Sequence, residues 1–422
     1  MARKKKIKIK GIVITKSTAI LMAIVLAFGV VAYFVYEPFR KQVDGFLSSL
    51  FSEPNNSLNS VKGENELRFH MIDIGQGDCL FIEFPDDTVM LIDTGEKSNA
   101  RADKIINYIK NYEKTTIDYF MLTHTDSDHI GNTVAILDAF EVKKAFIPDV
   151  AKKDITKTYQ NSYNAIIAEG CEVEISSEFD AISSTDPNNV FYFAFLSPWQ
   201  SLYDDLNGTS DPTSHQKNDV SPIIYLEYMQ KRILLTGDVN IAVEDELVTK
   251  YENHNFEKFA IGGEEININL RKIDILKVAH HGSEGSSGAK FLGVVEPTYS
   301  LISAGLGNSY YHPRAEAINR LKNLNSTIYT TVDNGSIQAT IKPVLPPEET
   351  GGEQGDGAEP NSVATATEEK QKQYATIEWW FEKSNSSTGV ECTQGITPPQ
   401  KTAVIIKIKR EEFIYSNGYQ VA

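Results

Sequence analysis

The sequence predicts an α/β fold, and three observations predict it. Short apolar runs of strand length alternate along the chain with longer stretches of helical periodicity. Several of those runs end in clusters of His and Asp, at Asp93, at 124–129, at Asp238 and at His280-His281. Strand ends are where α/β sheets build their sites. The composition, 41% hydrophobic and 23% charged over 422 residues, is that of a globular chain with room for more than one domain and a sizeable core.

Taken in order, residues 1–16 carry seven positive charges and no acid. Ser17–Tyr36 then holds twenty residues without a charge, the length of a bilayer core. The expectation is one transmembrane helix over 17–36, with a cytosolic basic segment at 1–16 and the rest of the chain outside. A cleavable signal peptide is the rival, but the apolar run is long for one and no small-x-small site follows it. Residues 37–63 read as a spacer. The soluble body, 64–343, opens with Leu67–Ile74, which alternates like a half-buried strand. Strands follow at Cys79–Phe84 and Val89–Ile92, then a helix over 99–112 with Ile105, Ile106 and Ile109 on one face. Ile117–Leu122 reads as a strand buried on both faces. Helices are expected at 131–140, 157–169, 240–252 and 314–324, and another near 285–288. Strands are expected at 144–148, 191–196, 273–279, 299–304 and 327–332, with a hairpin 221–228/231–235 turning at Met229-Gln230. Residues 198–219, rich in Gly, Ser, Asp and Asn, read as a loop. The low-complexity stretch 344–372 separates off a C-terminal β segment, 373–422. Its strand-like runs at 375–381 and 403–408 either form a small module or return to the main sheet.

The chemistry concentrates in Thr123-His124-Thr125-Asp126-Ser127-Asp128-His129. Residues i and i+2 of an extended segment point the same way, so His124 and Asp126 suit one metal. Asp128 and His129 diverge and suit a second one nearby. A polar turn with two histidines by chance is the bland alternative, and four ligand types in six residues after a buried strand argue against it. Asp238 on a Thr-Gly-Asp turn has two oxygens with which to bridge two ions, and one of His280 and His281 completes the set. Two divalent ions there would lower the pKa of a bound water. The three cysteines, Cys79, Cys171 and Cys392, are scattered and show neither a disulfide framework nor zinc-knuckle spacing. The net charge of −16 makes the body a poor general nucleic-acid binder, although it leaves room for a local basic groove.

Gly-Gln-Gly-Asp (75–78), Leu-Ile-Asp-Thr-Gly (91–95), His-Thr-Asp-Ser-Asp-His (124–129), Leu-Leu-Thr-Gly-Asp (234–238) and Leu-Lys-Val-Ala-His-His-Gly-Ser (276–283) occur in that order. With Tyr-His-Pro (311–313) and 331–337, they resemble the metallo-β-lactamase superfamily, specifically the hydrolase domain of the ComEC competence proteins, over roughly residues 66–340. The resemblance implies a four-layer αβ/βα sandwich behind the membrane helix. It implies metal ligands His124, Asp126, Asp128, His129, Asp238 and His281, with Asp128, His280 and Asp93 as the catalytic set. Asp93 there orients a ligand histidine, and the histidine of 280–281 that leaves the metal free contacts substrate phosphate. Ser283, His312 and Asp78 are candidate substrate contacts, with a turn-capping role as the alternative for Asp78 and a plain turn residue before a proline as the alternative for His312. The cofactor implied is one or two divalent ions, Mn2+ or Zn2+; an aspartate at 126, where the broad superfamily has histidine, makes manganese a stronger contender. His215 matches no motif and reads as a surface loop residue; His70 and His254 read as structural.

The function expected is an extracytoplasmic, membrane-anchored metal-dependent hydrolase acting on a phosphodiester, with DNA as the suggested substrate. No protein partner is inferable. The alternatives are a phosphoesterase for a small or envelope-borne ester such as phosphorylcholine, and a metal-binding recognition module without turnover. A β-lactamase in the strict sense fits less well, because the second motif histidine is missing.

Overall fold

The computed structural model describes residues 62–150, 156–184, 186, 189–256, 259–261, 264–344 and 374–397, with two short strands at 7–9 and 12–14. The expected span 17–36, nearly all of 37–63 and 344–372, and the run 403–408 lie outside the described residues. Among the described residues no helix is long and apolar enough to cross a membrane.

In chain order the strands are β1 (Ile7–Ile9), β2 (Ile12–Ile14), β3 (Leu67–Met71), β4 (Leu80–Glu83), β5 (Val89–Ile92), β6 (Thr116–Met121), β7 (Glu141–Ile147) and β8 (Glu172–Ile175). There follow β9 (Ala181–Ser183), β10 (Phe191–Phe195), β11 (Ile224–Tyr228), β12 (Lys231–Leu235), β13 (Phe259–Ile261) and β14 (Glu264–Ile266). The last five are β15 (Ile275–Lys277), β16 (Tyr299–Ile302), β17 (Thr327–Thr330), β18 (Ile337–Val344) and β19 (Tyr374–Phe381). The helices are α1 (Asn99–Lys110), α2 (Ser127–Ile130), α3 (Thr133–Leu137), α4 (Lys157–Glu169) and α5 (Gln200–Gly208). They continue with α6 (Ser214–Asp219), α7 (Ile241–Glu252), α8 (Ala289–Val295), α9 (Ala315–Lys322) and α10 (Thr331–Asn334).

Two large sheets form. One has eight strands in the order β19-β18-β3-β4-β5-β6-β7-β8, and the other has seven in the order β17-β16-β15-β12-β11-β10-β9. Period-two alternation sorts their side chains into layers. Leu80, Ile82, Met90 and Ile92 of the first sheet meet Phe193, Phe195, Leu226 and Leu235 of the second in an inner core. The opposite residues, Phe81 and Leu91, pack under Ile105 and Ile109 of α1 and Ile166 of α4. On the far side, Leu234 and Leu276 pack under Val243 and Leu247 of α7, Phe291 of α8 and Ile318 of α9. Helices therefore cover the outer faces of two stacked sheets.

In each sheet the strands beside the site run parallel, β5 with β6 and β12 with β15, in registers that pair Ile92 with Met121 and Leu235 with Lys277. Their carboxyl ends finish level, which brings Asp93, residues 123–129, Asp238 and His280-His281 to one edge.

Several expectations change. All five residues of β3 are buried, because its polar side faces the sheet's helical layer instead of water. There His70 bonds the Tyr108 hydroxyl at 3.2 Å and Glu83 at 3.3 Å, which satisfies groups that alternation alone assigns to solvent. The expected loop at 198–219 holds α5 and α6. Tyr203 and Leu206 give α5 a buried face, and Thr213 with Gln216 forms a capping box that starts α6. Polar composition signalled caps and exposed faces as much as loop. The helix expected at 131–140 shrinks to α3. Strands β8, β9, β13, β14 and β18 had not been read. β18 lies beside β3, and β19 pairs with it from Val344↔Tyr374 to Ile337↔Phe381 as the sheet's edge.

Candidate metal centre

The site starts from backbone that few residues adopt. His280 and His281 both have left-handed φ, 51° and 55°, immediately after the buried β15. Two consecutive non-glycine residues in that region cost free energy, and such strain collects where side chains must be aimed. The two rings consequently diverge. His281 is buried and directs Nε2 at the carboxylates, 3.3 Å from Asp238 Oδ2 and 3.6 Å from Asp128 Oδ2. His280 keeps 26% of its side chain exposed and lies 3.9 Å from Asp238, on the open side.

His129 enters from α2. Its Nε2 is 3.3 Å from both Asp238 Oδ2 and His281 Nε2. Its Nδ1–H donates to Asp93 Oδ2 at 2.7 Å, and Asp93 also accepts from the Thr123 N–H at 2.9 Å and the Thr123 hydroxyl at 2.6 Å. His281 is fixed in the same way, Nδ1–H donating to the Ser303 carbonyl at 3.0 Å. Each ring is thus held by Nδ1 with Nε2 turned inward, the arrangement that orients metal-binding imidazoles. His124 is buried with Nδ1 between Thr123 Oγ1 (3.0 Å) and Ser221 Oγ (3.2 Å), and its Nε2 has no hydrogen-bond partner. A buried ring nitrogen left unpaired is costly unless something else binds it.

Among the described residues, the side chains whose ligand atoms come together within 4.8 Å are Asp78, His129, Asp238 and His281. Asp78, expected as a substrate contact or a turn cap, is buried beneath the centre. It pairs with Lys277 and lies 3.4 Å from His281 Nδ1. Asp126 and His124, expected to share an ion, are not in that group, nor is Asp128, expected as a ligand beside His129. Asp126 is the half-buried residue that starts α2, and burial raises its pKa. Asp93 touches His129 and Thr123 from below, which makes it a positioning residue. Ser283 spends its hydroxyl accepting from the Gly285 N–H at 3.2 Å. His312 is buried, with its ring 5.5 Å from that of His280 and 6.3 Å from that of His281. His215 is exposed on α6.

Lys277 was missed. It is fully buried; its ammonium donates to the Gly237 carbonyl at 2.8 Å, pairs with Asp78, and lies 3.6 Å from Asp238 Oδ1. The signal was there: a charge in the middle of the apolar run 273–279 has to meet a partner inside. Gly77 shapes the same floor, since a Cβ there would sit 1.9 Å from the Asp128 carbonyl oxygen.

The electrostatics favour a cation. Asp78, Asp93 and Asp238 are buried around a single buried ammonium. Burial alone lowers the pKa of His129, but Asp238 and Asp93 outweigh it and hold the ring well above the ordinary histidine range. His281 behaves alike, with Asp238 and Asp78 outweighing burial. These carboxylates hold protons on the rings, and the same negative charge would favour a divalent ion, whose binding would displace those protons. By contrast, burial and then His129 push His124 down to about 3, so it is a neutral ligand type. Imidazoles and carboxylates without thiolate form a donor set that fits zinc or manganese.

A family model described as the metallo-beta-lactamase superfamily matches residues 72–305. The chain is 31% identical over 289 residues to ComE operon protein 3 of Bacillus subtilis, covering 64% of this chain and 33% of that protein. It is 25% identical over 275 residues to competence protein ComA of Neisseria gonorrhoeae, covering 65% and 32%. It thus spans about a third of the length of these curated relatives. Among solved structures, the metallo-beta-lactamase fold protein YhfI of Bacillus subtilis aligns with a TM-score of 0.36 and 11% identity, over 63% of this chain and 96% of that one. The matched segment of the family model takes in more than half of the 422 residues and every member of the convergent cluster, and the chain belongs to the metallo-β-lactamase superfamily.

Proposed function

We propose that this chain is a metal-dependent phosphodiesterase that works outside the cell membrane, with nucleic acid as its substrate class. The observation that carries the reading is the gathering of ligand atoms of Asp78, His129, Asp238 and His281 within 4.8 Å of one another, with Asp128 Oδ2 3.6 Å from His281 Nε2. A divalent ion held by these residues would supply Lewis acidity and lower the pKa of a water beside it. The chain's own residues do the rest. Asp93 and the Ser303 carbonyl keep the ligand rings in one tautomer. Lys277 offsets the charge of Asp78 and Asp238. Asp128, a quarter exposed, and His280 stand on the open side, where a phosphate group approaches.

The resemblance to ComEC-type domains, and relatives named for competence, support nucleic acid as the substrate. The basic segment followed by the uncharged run 17–36 supports an N-terminal anchor with the catalytic body on the far side of the membrane. Carboxylates at 126, 128 and 238 support manganese beside zinc. One observation favours a second reading, a phosphoesterase for a small envelope ester. The net charge of −16 repels a polyanion.

The test is to purify the chain without chelator, measure its metal content, and assay single- and double-stranded DNA and bis-p-nitrophenyl phosphate with manganese and with zinc. Metal-dependent DNA cleavage, lost in Asp128→Ala, is the expected result. Cleavage of the small ester alone moves the assignment to the envelope phosphoesterase. Bound metal without turnover favours a recognition module, and a chain that binds no metal removes the reading altogether.

A further inference from the structure

The loop after β16 leads from solvent to the centre. Along it, Leu306, Tyr310 and Tyr311 are 55%, 59% and 38% exposed. Isolated exposed apolar side chains are ordinary, but here three lie within six residues of one loop. The loop is braced. Asn308 Nδ2 donates to the carbonyls of Gly305 (2.8 Å) and His312 (2.6 Å), and its Oδ1 accepts from the N–H groups of Tyr310 (3.1 Å) and His312 (2.9 Å). The tyrosines are therefore held out by a closed set of hydrogen bonds. Tyr310 lies near-parallel to His312, ring centres 5.8 Å apart at 25°. The His312 ring meets His280 edge-on at 5.5 Å. An aromatic row runs from exposed Tyr310 through His312 to the rim of the cluster.

The row offers π-surface, with the outermost ring, Tyr310, 59% exposed. Recognition through phosphate alone would need cations, and the acidic body has them in deficit. A quaternary ammonium group calls for rings arranged around it as a cage. A row whose outermost members are parallel and whose end ring is open suits a flat partner instead.

We propose that Tyr310, with Tyr311 beside it, is a stacking site for an unpaired nucleobase next to the phosphodiester at the metal centre. This rests on the phosphodiesterase reading and narrows it. The substrate is a single strand, since a paired base hides its face from the platform. The acidic body then repels nucleic acid in general, while stacking retains the strand whose base is exposed.

The test uses the full chain with manganese. Binding by fluorescence anisotropy and cleavage are compared for a single-stranded oligodeoxynucleotide and an abasic strand of equal length. Wild type prefers the base-bearing strand. Tyr310→Ala lowers that preference about tenfold, the worth of one stacked base. Tyr310→Phe keeps the preference, because the ring is retained. Thermal melting of each variant checks folding. If wild type cleaves both strands alike, or Tyr310→Ala retains the full preference, the stacking site is overturned while the hydrolase stands. If wild type binds the base-bearing strand preferentially through Tyr310 but cleaves neither, the stacking site stands and the hydrolase reading falls. Tight binding of phosphorylcholine that Tyr310→Ala abolishes, with no base preference, also overturns it.

Discussion

Lys277 shows how one side chain governs the charge of the whole site. It is a fully buried ammonium among Asp78, Asp93 and Asp238, and its pKa is raised because Asp78 and Asp238 outweigh burial. Asp78 answers it: burial opposes its ionisation, but Lys277 and His281 hold its pKa at about 2. Lys277→Met removes the ammonium that pairs with Asp78 and lies 3.6 Å from Asp238. Breaking a buried pair in this way costs about 3–5 kcal/mol. Urea unfolding in the presence of chelator should show that loss, and a smaller one with manganese added, because the ion replaces part of the missing charge. An unchanged midpoint would mean that Lys277 is not the counter-charge. Asp93 acts differently. It carries no exposed oxygen toward the rim and serves by fixing His129 and Thr123 together.

At the scale of the element, the segment after the paired histidines is pinned by α7. Glu244, fully buried on that helix, accepts from the Ser287 and Gly288 N–H groups at 2.7 Å each, which anchors the Ser/Gly turn that leads into α8. Burial pushes this carboxyl up to about 7 against the pull of those two N–H groups. A carboxyl with a higher pKa in the folded than in the unfolded chain binds its proton more tightly when folded. Its contribution to stability is complete below pH 4.5 and is lost as pH rises through 7. The loss amounts to about 3 kcal/mol. In chelator, wild type should lose that much more stability than Glu244→Gln between those limits, read from denaturant midpoints. Equal slopes would show that Glu244 titrates normally. Helix α6 carries a similar lesson about local signals. Thr213 and Gln216 cap it from a stretch whose composition looks like loop, since the residues that favour turns are also the residues that cap helices.

For the molecule as a whole, the centre joins the two sheets. Asp78, His124 and His129 belong to the eight-stranded half, and Asp238, Lys277 and His281 to the seven-stranded half. An ion bound by both halves favours the folded state by mass action, by about 2.7 kcal/mol at a free concentration a hundred times its dissociation constant. Adding manganese or zinc to chelated protein should therefore raise the melting temperature by several degrees, and Asp238→Ala should abolish the rise. A melting temperature indifferent to metal would remove the centre from consideration as a binding site.

The strands and helices with one apolar period were legible in the sequence: Val89–Ile92 and the helix at 157–169 fall where the pattern puts them. The motif residues were legible too, because ligand chemistry needs His and Asp at the ends of buried runs, and such residues stand out there. The sequence pattern does not mark β18 and predicts β3 as half-buried, because burial of a polar face depends on a helix or sheet distant in the chain. In the same way, spacing alone left the choice between His280 and His281 open. Adjacent residues share a sequence context, and only two successive left-handed backbone conformations turn one ring inward and the other out. Lys277 and Asp78 meet across 199 positions, a pairing that no local pattern encodes. What the sequence by itself determined was the identity of the donors and the elements that carry them. The tertiary structure decided which donors converge, because convergence depends on the registers of two sheets brought face to face by a shared apolar core.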